Sequence, residues 1–105
     1  MAFAENLKQL PGIANIERLE LFDREGKFVA TIENKPGQTG SLAVYHHLVR
    51  QYGAIDATAA TEGLLLYAEH TKDAEKNPGK HPNIDRLLAV IGNKLALTAT
   101  IHSKA

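Results

Sequence analysis

The alternation of apolar and polar side chains in NIERLELFDREGKFVATIEN, residues 15–34, constrains the fold more than any other feature of the sequence. Leu19 and Leu21 alternate with charged neighbours, and Phe28, Ala30 and Ile32 repeat the two-residue period after a short break. The break reads DREG, in which the aspartate favours the start of a type I turn. The glycine suits the left-handed position that closes a bulged hairpin. The segment therefore predicts a β-hairpin.

A hairpin alone is at best marginally stable in water, so further elements must cover its apolar face. The segment KLALTATIH, residues 94–102, alternates again, with Leu95, Leu97, Ala99 and Ile101 on one face. This pattern predicts a third strand with one solvated face.

Four segments carry apolar residues at helical spacing. They are residues 3–10, 41–52, 57–76 and 82–91, and each is followed by glycine, with proline added after the first and third. The economical arrangement is a single α+β domain over residues 1–105. We expect a three-stranded, mainly antiparallel sheet, made of the hairpin and the C-terminal strand, with helices packed on one face. The expected core residues are Leu19, Leu21, Phe28, Ile32, Tyr45, Leu48, Leu64, Leu87, Leu88, Ile91, Leu97 and Ile101.

Composition narrows the classes of function. Twelve Lys and Arg balance twelve Asp and Glu, so the cationic surplus typical of nucleic-acid binding is missing. The absence of cysteine excludes disulfides, thiol nucleophiles and cysteine-ligated metals. MAFAENLKQL does not resemble a signal peptide, and the longest apolar runs are too short to span a bilayer. We therefore expect a cytoplasmic protein that binds neither membranes nor nucleic acid.

The stretch NKPGQTGSLAVYHHLVRQYG, residues 34–53, has two interpretations. Its glycines are too close together for a nucleotide P-loop, and no lysine precedes Ser41. One interpretation is a turn followed by a helix capped by Thr39 or Ser41, which we favour. The other is an anion site in which the Gly37–Ser41 loop and the helix dipole bind the ligand, assisted by a sheltered His46–Arg50 pair. The residues of this ligand site are Lys35, Thr39, Gly40, Ser41, His46 and Arg50.

A second cluster lies in EHTKDAEKNPGKHPNID, residues 69–85. His70 and Asp73 share a helix face, and a short loop can bring His81 near them. Two imidazoles and a carboxylate form a weak alternative for a metal site. The interpretation that we favour is a solvated helix face of alternating charge, with no bound metal and no cofactor.

The sequence offers no catalytic residues. It has no GxSxG motif, and its two serines are Ser41, a candidate cap, and Ser103, near the C-terminus. IENKPGQTGSLAVYHHL, EGLLLYAEHTKDA and PGKHPNIDRLLAVI resemble a family of small uncharacterised bacterial proteins, a domain of unknown function. That resemblance covers nearly the whole chain and implies no activity and no site residue.

Two hypotheses of function follow. The first is a non-catalytic interaction or regulatory module of the bacterial cytoplasm, homodimeric through the exposed edge of a sheet. The alternative is binding or modification of a small anionic metabolite at the Gly37–Ser41 loop with His46 and Arg50.

Overall fold

The structure is a computed structural model that describes residues 2–104. Within this range, three strands and five helices follow one another. Their bounds are α1 Phe3–Leu7, β1 Ile16–Phe22, β2 Phe28–Glu33, α2 Thr39–Tyr52, α3 Ala57–Tyr67, α4 Glu69–Lys76, α5 Pro82–Gly92 and β3 Thr98–Ser103. The predicted α+β class is confirmed. Among residues 2–104, no helix combines the length and the apolar character needed to cross a bilayer.

The sheet has the order β2-β1-β3, and both pairings are antiparallel. Leu19 lies between Ile32 and Ile101 in the register, and Leu21 lies between Ala30 and Ala99. These positions form the face against which the helices pack, because alternate side chains of a strand point to the same side. The two-residue period of the sequence thus predicted the inward faces of β1 and β2 at Leu19, Leu21 and Ile32. The third strand was predicted to begin too early, since β3 begins at Thr98 and Leu95 is 43% exposed.

The predicted core is largely confirmed. Seven of its members are buried, and three are half-buried at its margin: Leu64, Leu88 and Ile101. The seven are Leu19, Leu21, Ile32, Tyr45, Leu48, Leu87 and Leu97.

Two residues of the predicted core are exposed, so their prediction was wrong. Phe28 is 58% exposed because a bulge between Leu21 and Phe22 shifts the register there. Phe28 is thereby paired with Phe22, and their rings meet edge to face at 6.1 Å. Ile91 is 36% exposed, since it lies in the last turn of α5.

The predicted helix over residues 57–76 is interrupted at Ala68. That residue has φ 52° and ψ −116°, a conformation that residues with a Cβ rarely adopt. The chain changes direction there, so α4 begins immediately after α3 ends. Alanine is the best helix former, and therefore the sequence contained no signal for this break.

Candidate functional site

A cavity of about 400 Å³ lies where α1, the first turn of α2, the end of α3 and the start of α5 meet. We call it the α2–α5 pocket. It combines the glycine loop with the histidine cluster, which are far apart in the sequence. Among its lining residues are Phe3, Gly37, Thr39, Gly40, Ser41, Tyr67, His70, Lys80, His81 and Asn83.

The first turn of α2 forms one wall of the pocket. The amide of Leu42 donates to the carbonyl of Gln38, which is the first bond of the helix. The amides of residues 39–41 precede it and therefore have no acceptor within the helix. Gln38, at the N-cap, does not cap them, because its side-chain oxygen accepts from the amide of Glu33. This helix start can therefore donate to an anion.

The first turn of α5 forms the opposite wall. Its N-cap residue, His81, makes no side-chain cap bond, and Pro82 occupies the first helical position. The Tyr45 hydroxyl donates to the carbonyl of Asn83, and Arg86 donates to the Asn83 side chain at 2.7 Å. Burial raises the pKa of Tyr45 to about 12, and the adjacent Arg86 opposes that rise. The bond from Tyr45 joins α2 to the start of α5, whereas the bond from Arg86 lies within α5.

Charged groups gather at the mouth of the pocket around Asp73. Its Oδ2 atom lies 2.6 Å from His81 Nε2 and 3.0 Å from Lys80 Nζ. The hydrogen bonds from His81 and Lys80 lower the pKa of Asp73 to about 2. The carboxylate is therefore charged at neutral pH and offsets part of the positive charge of Lys80.

An aromatic row lines the floor. The ring of Phe3 stacks on Tyr67 at 5.2 Å and meets the edge of His70 at 5.1 Å, and His70 lies 5.6 Å from His81. Gly40 lets Phe3 approach the helix, since a Cβ atom there would lie 3.0 Å from the ring.

The structure does not bring the predicted ligand residues together. Thr39, Gly40 and Ser41 line the α2–α5 pocket, whereas Lys35 forms an ion pair with Glu33 at 3.1 Å. In addition, neither Thr39 nor Ser41 caps the helix, because Gln38 is at the N-cap and Thr39 is already the first helical residue.

The predicted pair of His46 and Arg50 lies elsewhere. His46 is buried, only 6% exposed, and its Nδ1 atom has no hydrogen-bond partner. Desolvation lowers its pKa, and Arg50 and His47 lower it further. Arg50 lines a different cavity together with His47 and Gln9. Neither residue lines the pocket of the loop.

His47 lies at a contact between two helices. Its Nε2 atom lies 2.5 Å from Glu62 Oε2, and Tyr52 donates to the other oxygen of Glu62 at 2.7 Å. The hydrogen bonds from Tyr52 and then His47 lower the pKa of Glu62, against the effect of desolvation. This network joins α2 to α3.

The weak alternative in the sequence was a metal site at His70, Asp73 and His81, and the contacts of these three side chains test it. His81 and Asp73 are hydrogen-bonded to each other, and His70 packs against Phe3. Across residues 2–104, no group of three or more His, Asp or Glu side chains has an arrangement that could hold a metal ion.

Sequence reasoning missed Phe3, Tyr67, Lys80 and Asn83 as pocket residues. One signal was available for Lys80 and Asn83, since Pro82 between them is typical of the first helical position and marks a helix start. The convergence of two helix starts could not be predicted from the sequence, because it depends on how α2 and α5 pack.

Residues 3–101 match the family described as an uncharacterised protein conserved in bacteria, DUF2322. The chain belongs to this bacterial family, as the resemblance of its sequence motifs indicated. Neither the curated proteins nor the solved structures include a match to the chain.

Proposed function

We propose that this protein is a non-catalytic regulatory module of the bacterial cytoplasm that binds a small anionic metabolite in the α2–α5 pocket. The ligand carries a phosphate or a carboxylate group. The observation that carries the proposal is the convergence of two helix starts without side-chain caps on one cavity, with Lys80 and His81 at its mouth.

The electrostatics of the pocket support an anionic ligand. The first turn of α2 presents three amides without an acceptor in the helix, at residues 39–41. The first turn of α5 presents one, at Asn83, because Pro82 has no N–H and Ile84 donates to His81. These amides and the positive ends of the two helix dipoles favour negative charge. The helices have 14 and 11 residues, so each dipole is well developed. Lys80 adds positive charge, part of which Asp73 offsets, and its side chain is 60% exposed and able to move toward a ligand.

The size and lining of the cavity support a small organic ligand over a bare ion. Cavities of about 300–1,000 Å³ are typical of small-molecule sites. The apolar floor of Phe3 and Tyr67 suits the carbon skeleton of a metabolite, while the helix starts suit its acidic group.

The surroundings of Ser41 support binding without catalysis. The Ser41 hydroxyl accepts from Tyr67, and its bond to Tyr67 is to a neutral phenol, not to a base. Activation of a serine nucleophile requires a base within hydrogen-bonding distance.

Thermal unfolding with increasing inorganic phosphate, citrate and glucose 6-phosphate tests the proposal. A ligand that binds only the folded state stabilises it by about 2.7 kcal/mol at a concentration one hundred times its Kd. We expect a saturable increase in Tm with at least one of these anions. The increase should shrink in Lys80→Gln, which removes the positive charge at the mouth of the pocket.

Lys35→Gln is the matched control, because it removes the same charge from a lysine that does not line the pocket. Equal losses in Lys80→Gln and Lys35→Gln would indicate nonspecific charge screening and contradict the proposal. Asp73→Asn should have the opposite effect and strengthen anion binding, since it releases Lys80 and His81 from their shared carboxylate.

A further inference from the structure

The outer edge of β3 is an exposed row of backbone donors and acceptors. In a strand, the backbone groups of successive residues point to opposite sides in the plane of the sheet. Leu97, just before β3, exchanges both of its backbone bonds with Ile55, on the side away from β1. Lys104, just after β3, donates to Asn15 beside β1. The odd-numbered residues Ala99, Ile101 and Ser103 therefore direct their amides and carbonyls outward.

The opposite edge of the sheet is protected. On β2, the outward amide of Glu33 is occupied by the Gln38 side chain, and Glu33 is paired with Lys35. Pro36 follows, and a bulge distorts the start of the strand. Charges, prolines and bulges are the devices by which proteins prevent an edge strand from pairing.

β3 lacks the charges and the proline, and the register shift in its ladder with β1 inserts the extra residue in β1, between Ile16 and Arg18. Its sequence TATIHS contains no Lys, Arg, Asp, Glu, Pro or Gly, and half of its residues are β-branched. Ile101 stays half-buried although its neighbours in the register, Leu19 and Ile32, are buried. An uncovered edge of this composition is complementary to another strand.

We propose that β3 pairs with β3 of a second copy of this chain, antiparallel about a two-fold axis at Ile101. The resulting sheet is continuous, with the strand order β2-β1-β3-β3-β1-β2. In this register Ala99 is opposite the partner's Ser103, and Ile101 is opposite the partner's Ile101. Each of these pairs can exchange two backbone hydrogen bonds, because all three residues direct their groups outward.

The charges and the geometry of the edge are compatible with a second copy. Twelve positive and twelve negative side chains leave no net charge, so two copies do not repel each other at long range. The register places the partner's Lys104 opposite Thr98, where no like charge faces it. The ladder also ends before Leu97, whose backbone groups are already bonded to Ile55.

Sedimentation velocity over a range of protein concentrations tests the proposal. Pairing through a single short edge buries little surface, so we expect a Kd between about 10 μM and 1 mM. Amide hydrogen exchange followed by NMR should then show protection that increases with concentration at Ala99, Ile101 and Ser103. The amides of Thr98 and Thr100 should be protected at every concentration, because they face β1.

Charge substitutions at Thr98 test the register without disturbing the core. Thr98→Lys places two lysines opposite each other twice in the dimer and should raise Kd about three- to tenfold. Thr98→Glu forms the opposite-charge pair and should lower it. Thr31→Lys is the matched control on the β2 edge and should leave Kd unchanged.

A wild-type protein that remains monomeric at about 1 mM would overturn the proposal. A dimer that responds equally to the two Thr98 substitutions, or responds to Thr31→Lys alone, would also overturn it, since another surface would then hold the copies together. These outcomes are independent of the anion experiment, because Thr98 does not line the α2–α5 pocket.

Discussion

The hydroxyl of Tyr67 donates a hydrogen bond to Ser41 Oγ over 2.6 Å and so joins the end of α3 to the first turn of α2. Tyr67 is only 3% exposed, and burial raises the pKa of its phenol, with a smaller contribution from Tyr45. The serine that the sequence offered as a helix cap is therefore the acceptor for a buried tyrosine.

Ser41→Ala should reduce the free energy of unfolding by about 1–3 kcal/mol, because it leaves the buried Tyr67 hydroxyl without its acceptor. A double-mutant cycle with Tyr67→Phe, measured by urea unfolding, separates this cause from helix capping. In the Tyr67→Phe background the cost of Ser41→Ala should largely disappear. If the cost is the same in both backgrounds, Ser41 acts on the helix end alone.

Gly63→Ala should destabilise the protein by about 1–3 kcal/mol, because it inserts a methyl group into packed side chains. A Cβ at this position would lie 2.7 Å from Leu87 Cδ1 and 2.9 Å from Leu48 Cδ1. Gly92→Ala is the control, since a Cβ there meets nothing within 4 Å and alanine favours the helix. Equal urea midpoints for the two variants would refute the close packing of α3 between α2 and α5.

Leu87→Ala should cost about 2–5 kcal/mol, as expected when a fully buried leucine is removed. Leu88→Ala should cost clearly less, because its side chain is only half-buried beside the core. Chemical denaturation of the two variants compares neighbours on one helix with identical chemistry. A larger loss for Leu88→Ala would mean that α5 is rotated relative to this structure.

His46 should make the folded state less stable in acid. Its pKa in the folded state is lowered from 6.5, so the unfolded chain takes up the proton first as the pH falls. Stability is therefore complete above about pH 6.5 and declines as the pH falls toward the lowered pKa.

Substitution of His46 by leucine should flatten this decline between about pH 7 and pH 5, because the titrating group is then absent. Thermal unfolding of both proteins across that range provides the measurement. Parallel pH profiles would assign the acid sensitivity to other groups.

Sequence reasoning succeeded where the structure depends on neighbouring residues and failed where it depends on contacts between distant ones. The strands and the sheet face could be predicted, because Leu19, Leu21 and Ile32 follow a period that the backbone imposes locally. Phe28 was misplaced because one bulged residue reverses the assignment of faces. The break at Ala68 could not be predicted from the sequence, because tertiary packing, and not the helix propensity of alanine, decides the conformation of this residue.

The candidate site was predicted in pieces. Residues 39–41 were assigned to an anion site and His81 to an alternative metal site, so the two segments were treated as separate clusters. Their meeting depends on contacts such as Tyr45 with Asn83, which lie 38 positions apart. His46 was predicted to be sheltered and it is buried, but the helical period of α2 could not show that this residue lies away from the α2–α5 pocket.

The single-residue joint at Ala68 has a mechanical consequence. No loop separates α3 from α4. The angle between the two helices is therefore set at Ala68, by its left-handed φ of 52°. His70 and Asp73 lie in the first two turns of α4. Their backbone positions therefore follow the orientation of α3, which packs on α5. Widening the mouth of the cavity by a shift of the α4 backbone therefore requires a change of conformation at Ala68 or a movement of α3.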